Sequence, residues 1–157
     1  MCRGWDVVAL VTVTITSDDS PMFQIPSTHL VEQQAALAGL PWVNVRTPGE
    51  TPTDIEDLEK ALSSLPIDGF VSGALRSDYQ KSRLERMAER LGIKSWTPLW
   101  HQSGLHHLKQ MIEHGFEIVI TGVSAEGLDE QWLGHTLTES SFERLQSLAE
   151  RYRFHVE

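Results

Sequence analysis

The chain of 157 residues has a single cysteine, Cys2, and therefore no internal disulfide. A lone thiol excludes a disulfide-stapled secreted fold and favours a reducing, cytoplasmic setting. Cations are also scarce: 13 Lys and Arg face 22 Asp and Glu, for a net charge of −9. That balance excludes bulk binding to a nucleic-acid backbone or to an anionic membrane face, while leaving room for a local basic pocket. No apolar run is long enough to cross a bilayer. The apolar stretch 7–15 is short, carries Thr12 and Thr14, and starts too near Met1 for a basic n-region. No small-residue cleavage site follows it, so it reads as a strand and not as a signal peptide. A Walker loop, a dinucleotide fingerprint, a Gly-x-Ser-x-Gly elbow and a His-Glu-x-x-His pair are all missing. So are internal repeats, low-complexity tracts and linkers, which points to one domain over residues 1–157.

What is there is an alternation. With 40% hydrophobic and 22% charged residues the chain has the makings of a packed core. Residues 5–15 are rich in β-branched side chains and nearly continuously apolar, the pattern of a strand buried on both faces. Ser27 or Thr28 is placed to cap a helix running to Ala38, with Leu30, Val31, Gln34 and Leu37 at helical spacing and Gly39 as its stop. Residues 41–45 form a second strand. The turn-rich 47–53 leads to a helix over 54–65, where Ile55, Leu58, Ala61, Leu62 and Leu65 make one stripe. Residues 67–74 form a third strand, and Ser77 with Gln80 opens a charged helix that ends at Gly92. An extended piece at 93–100, a helix at 104–114, a strong strand at 116–123, helices at 129–135 and 139–152 and a short strand from 154 complete the series. Such alternation implies an α/β fold, a parallel sheet with helices on both faces, in which ligands bind at the carboxyl ends of the strands.

Chemistry concentrates in one place. Across Ser72-Gly-Ala-Leu-Arg-Ser-Asp-Tyr-Gln80 a strand ends in small residues that let a ligand reach bare backbone N–H groups. A helix begins directly afterwards, and its N-terminus favours an anion. Arg76 and Arg83 add fork-shaped donors for phosphate or carboxylate. The plainer alternative is a capped helix with Asp78, Arg83 and Glu85 on a solvated face. Elsewhere, His101, His106, His107 and His114 gather without a cysteine or an acidic partner at ligand spacing, so no metal site is assigned. Cys2 lies too near the terminus to be a convincing nucleophile.

The run Val71-Ser-Gly-Ala-Leu-Arg-Ser-Asp-Tyr-Gln-Lys-Ser-Arg-Leu-Glu85 closely resembles a signature of the diphthine–ammonia ligase family, a branch of the N-type ATP pyrophosphatases with a HUP/Rossmann-like domain. Further segments agree in order: Arg3 to Thr12, Met22-Phe23 (with Gln24 where histidine is usual), Gln34-Ala35, Leu40-Pro41, Leu91-Gly-Ile-Lys94, Pro98-Leu-Trp100, Glu126-Gly-Leu-Asp129 and Trp132-Leu-Gly134. The resemblance implies an ATP-dependent ligase that adenylates a carbonyl oxygen, releases pyrophosphate and lets ammonia displace AMP. It implies ATP with magnesium, an adenine nucleotide as partner, and elongation factor 2 as protein substrate. It also implies that Ser72, Gly73, Ala74, Ser77, Met22 and Phe23 face the nucleotide, with Asp78, Tyr79, Arg83, Glu85 and Trp100 nearer the acceptor.

Two family elements do not occur within these residues: a Ser-Gly-Gly-Lys-Asp-Ser loop that cradles pyrophosphate, and a Gly-Glu-Gly-Gly-Glu run after Phe154-His-Val-Glu157. The expectation is therefore a domain incomplete at both ends and inactive alone, with a non-catalytic nucleotide-binding or interaction domain of the same ancestry as the alternative. In the family the strand carrying the phosphate loop lies between the strands at 7–15 and 70–72. Without it, both would offer open edges, and a homo-oligomer is expected.

Overall fold

The computed structural model describes residues 4–156; Met1, Cys2, Arg3 and Glu157 lie outside them. Two units divide the chain, one ending at Pro98 and the other beginning at Leu99. In the first, the order is β1 (Leu10–Ile15), α1 (Leu30–Ala38), β2 (Trp42–Thr47), α2 (Thr53–Ser63), β3 (Gly69–Val71), α3 (Asp78–Leu91) and β4 (Lys94–Trp96). The second holds α4 (Gly104–Glu113), a 3-10 turn (Glu130–Trp132) and α5 (Glu139–Tyr152). The class is α/β, with parallel strands and five α-helices among the described residues.

β1 and β2 run parallel, from Leu10 opposite Trp42 to Ile15 opposite Thr47. Their β-branched residues suit a pleated, half-buried surface. Buried Thr12 keeps its hydroxyl satisfied by the Trp42 indole N–H at 3.2 Å. Val13, Ile15 and Val45 then meet Ile55, Leu58 and Leu62 of α2 and Leu84 and Met87 of α3 in one core. The stripe read from α2 is thus the one that packs. Gly39 and Gly92 end α1 and α3 in left-handed conformations, as expected of helix-stopping glycines.

Several expectations are corrected. The expected strands do not share one sheet: those within 5–15 and 41–45 pair as β1–β2, whereas that within 67–74 pairs as β3 with β4, from the extended piece at 93–100, in a separate parallel pair. β1 and β3 are not paired with each other, and each bonds to a strand on one edge alone among the described residues. The first strand starts at Leu10, not Trp5; Trp5 and Val8 are 48% and 42% exposed, since an apolar run becomes a strand only where a partner backbone meets it. Trp5 instead stacks near Trp96, 4.4 Å between ring centres. Neither Ser27 nor Thr28 caps α1; His29 stands at that position without a side-chain cap, and Ser27 has a left-handed backbone. Its buried residue is Ala35, whose small side chain allows close approach, whereas Leu37 is 90% exposed.

Residues 116–123 are not a sheet strand. They make an isolated antiparallel bridge, Val119 opposite Thr136, flanked by bonds from Ile120 N–H to the His135 carbonyl and from Leu137 N–H to the Ile118 carbonyl. Ile118, Ile120 and Val123 pack inward on Trp132, Leu137 and Leu145, while Phe116 and Val119 face out. Apolar side chains on both faces mimicked a fully buried strand. The segment 129–135 holds just the 3-10 turn, and no strand begins at Phe154. α5 matches its expected span; Thr138 and Ser141 close its first turn as a capping box.

Candidate functional site

The polar run after β3 is built stepwise. Ser72 extends the pairing by one bond, its N–H donating to the Trp96 carbonyl at 3.0 Å, and its hydroxyl lies 3.2 Å from that of Thr97. Gly73 follows, exposed, and a Cβ built there would meet nothing within 4 Å. Ala74 is half-buried. Ser77 then caps α3, its Oγ accepting from the Gln80 N–H at 3.3 Å, with Asp78 exposed in the first turn. A 14-residue helix therefore points its positive end toward an open stretch of backbone.

The loop after β1 meets the same helix start. The Ser20 hydroxyl accepts from the N–H groups of Met22 and Phe23, at 3.2 and 3.0 Å, and the Met22 carbonyl accepts from Gln80 Nε2 at 3.0 Å. The Met22 side chain itself is 3% exposed and sits in the core, with Phe23 packed against that core. Tyr79 and Arg83 form a second cluster. The Arg83 guanidinium lies 3.4 Å from the Tyr79 ring centre and donates to the Tyr79 carbonyl at 3.3 Å. The Tyr79 hydroxyl lies 2.9 Å from that of Thr51, at the entrance to α2. Glu85 is exposed and pairs with Lys81, one helical turn away, not with Arg83. Trp100 belongs to the second unit, its ring 4.7 Å from that of His101.

Ser20 and Thr51 were not singled out in the sequence as site-builders, and Gln80 was read as part of the polar run and the cap without its bond to the Met22 carbonyl. A serine before Pro21, and a threonine within a proline-rich turn, carry no signal until the two loops are brought to α3. Among the histidines, His114 places Nδ1 2.7 Å from the Gln110 carbonyl. No three His, Cys, Asp or Glu side chains converge on a cation position among the described residues.

Between α2 and α3 lies a groove of about 690 Å³ that Arg83 also lines. On its wall Arg90 Nε reaches both oxygens of Glu59, at 2.9 and 3.1 Å. Hydrogen bonding from Arg90 holds the Glu59 carboxyl below the usual range, against a smaller opposing effect of burial, and the same bond raises Arg90. A depressed carboxylate stabilises the fold above its unfolded pKa and loses that contribution as pH falls through its folded value. Glu59→Gln is therefore expected to lower the melting temperature at pH 7 by about 2 °C, the size fitting an exposed pair, and the deficit is expected to shrink as pH falls through the folded value of the carboxyl. Thermal melts of both proteins across an acid pH series check this; a deficit that does not change with pH assigns the loss to packing.

With this geometry in hand, the chain compares clearly with known proteins. Residues 1–95 match the family described as the diphthamide synthase N-terminal domain, and residues 103–157 match the diphthamide synthase C-terminal domain. The diphthine–ammonia ligase of Rattus norvegicus is 30% identical over 179 residues, covering 99% of this chain and 67% of the relative. That of Danio rerio is 31% identical, covering 98% and 68%. That of Homo sapiens is 28% identical, covering 99% and 67%.

Proposed function

The chain belongs to the diphthine–ammonia ligase family, and from that premise we propose that it is an ATP-dependent amide-ligase domain. In this reading a carbonyl oxygen of the acceptor attacks the α-phosphorus of ATP and pyrophosphate leaves. Ammonia then adds to the activated carbon, and AMP departs with the oxygen. The carbonyl oxygen leaves poorly until it is joined to AMP, so the domain's task is to hold the reactants in line and balance phosphate charge. The acceptor proposed is diphthine on elongation factor 2.

One observation carries the reading: exposed Gly73, with open space where a side chain would stand, follows the carboxyl end of β3 and precedes the positive end of α3. Ser72, Gly73, Ala74 and Ser77 would face the nucleotide, with the loop of Met22 and Phe23 held beside them through Gln80. Tyr79 and Arg83, locked together, would lie toward the acceptor with Asp78 and Glu85. Magnesium would arrive with the ATP phosphates, which commonly supply most of its ligands beyond water.

A second reading, a nucleotide-binding or interaction domain without turnover, is favoured by the open edges of β1 and β3. Such edges accept a strand, from a second copy or from a segment bearing a phosphate loop. The two readings separate by assay. The 157-residue polypeptide, which holds no Ser-Gly-Gly-Lys-Asp-Ser loop, is expected to bind AMP in isothermal titration and to release no pyrophosphate from ATP. A chimera that adds the phosphate-loop strand of a family relative is expected to release it when ammonium and acceptor are present. ATP binding by the chimera without pyrophosphate release would favour the non-catalytic domain. Release by the unsupplemented chain would show that the loop is dispensable.

A further inference from the structure

We propose that the groove between α2 and α3 docks an acidic stretch of a protein partner. Four of the chain's 13 Lys and Arg residues line it, Lys60, Arg83, Arg86 and Arg90, against Glu56 and Glu59 from a total of 22 carboxylates. On a chain of net charge −9, that local reversal of sign is not the default surface.

The cations form a row. Arg83, Arg86 and Arg90 are three and four residues apart, so one face of α3 presents all of them toward α2. The two outer members are already fixed, Arg83 over the Tyr79 ring and Arg90 in its two-pronged bond to Glu59. Arg86, between them, is exposed and makes no ion pair among the described residues, and the same holds of the ion-pairing of Lys60 across the groove. Fixing the ends lowers the ordering cost of a bound chain, and the middle supplies unspent charge.

Shape selects the occupant. Seven residues of α-helix separate Arg83 from Arg90 by about 10 Å along the axis, the reach of about three residues of extended chain. A single phosphate would engage one end of such a row; a peptide with successive carboxylates engages all of it. Ile55, Pro52 and Leu91 add an apolar lining against which the stems of acidic side chains can lie. The inference goes beyond the ligase reading and needs no turnover, so failure of either leaves the other standing.

The test is fluorescence anisotropy of the 157-residue chain with a labelled oligo-glutamate at low salt, with oligo-glutamine as control and inorganic pyrophosphate as competitor. Oligo-glutamate alone is expected to bind, with affinity falling as salt rises. Arg86→Glu and Lys60→Glu are each expected to weaken binding by about tenfold or more, and Glu56→Gln to strengthen it. Circular dichroism should be unchanged in all three, because these side chains lie on the groove's exposed rim; should Arg86→Glu misfold, the other two variants decide. The proposal is overturned if oligo-glutamate does not bind, if folded charge-reversal variants bind it equally well, or if pyrophosphate displaces it at matched charge concentration, which would mark a small-anion pocket.

Discussion

Gly69→Ala should cost the chain about 3 kcal/mol of stability, at the upper end of what overpacking usually does, whereas Gly73→Ala should cost almost nothing. Both glycines lie in the same short segment, and neither has a positive φ. The difference is what an added methyl group would touch. At Gly69 a Cβ would fall 2.6 Å from the Lys94 carbonyl oxygen and 3.1 Å from the Lys94 Cβ. That oxygen is backbone, on the strand that β3 pairs with, so it moves only if the pairing moves. β3 is three residues long, and its register places Gly69 directly opposite Lys94. A shift there loosens the bond from Lys94 N–H to the Asp68 carbonyl and the one from Ser72 N–H to the Trp96 carbonyl. The second of these sets the position of the candidate site. Urea denaturation of the two variants beside the parent measures the contrast. Equal midpoints would mean that β4 yields cheaply and that the close approach is not structural.

The helices were legible because their signals are local. Ser77 with Gln80, the stop at Gly92 and the stripe of Ile55, Leu58 and Leu62 depend on residues within a turn or two of each other. Strand partners are not local. Residues 5–9 and 116–123 have strand composition, yet composition says nothing of whether another backbone lies alongside. In the first case Trp5 found the Trp96 ring instead; in the second a single antiparallel bridge was all that formed. The split into two parallel pairs is of the same kind, since it turns on which edges meet. Within the site, the small-residue turn and the cap could be read from the chain, whereas the partner of Arg83 could not. Lys81 stands four residues before Glu85 and takes that carboxylate, which leaves Arg83 to stack on Tyr79. The basic groove was hidden for a further reason: its charges come from two helices whose packing no single stretch of sequence describes.

In the phosphate-loop chimera, Gly73→Val should reduce adenine-nucleotide affinity on the order of a hundredfold. That is the effect of losing one or two N–H donors to a charged group, worth about 1.5–3 kcal/mol each. The protein itself has room for the substitution, because no atom lies within 4 Å of the Cβ position and the backbone there needs no left-handed conformation. Thermal stability should therefore stay within about 0.5 kcal/mol of the parent, as for other exposed positions. A ligand approaching the backbone at Gly73 would meet the new isopropyl group where it now meets open space, and the N–H groups there would be held out of reach. Arg86→Glu in the same chimera should leave AMP binding intact, since its place is the groove and not this turn. Isothermal titration with AMP, paired with thermal melts, reads both quantities. Unchanged AMP affinity in a folded Gly73→Val protein would remove the turn from the nucleotide site. A lost affinity with a matching loss of stability would instead assign Gly73 to the fold.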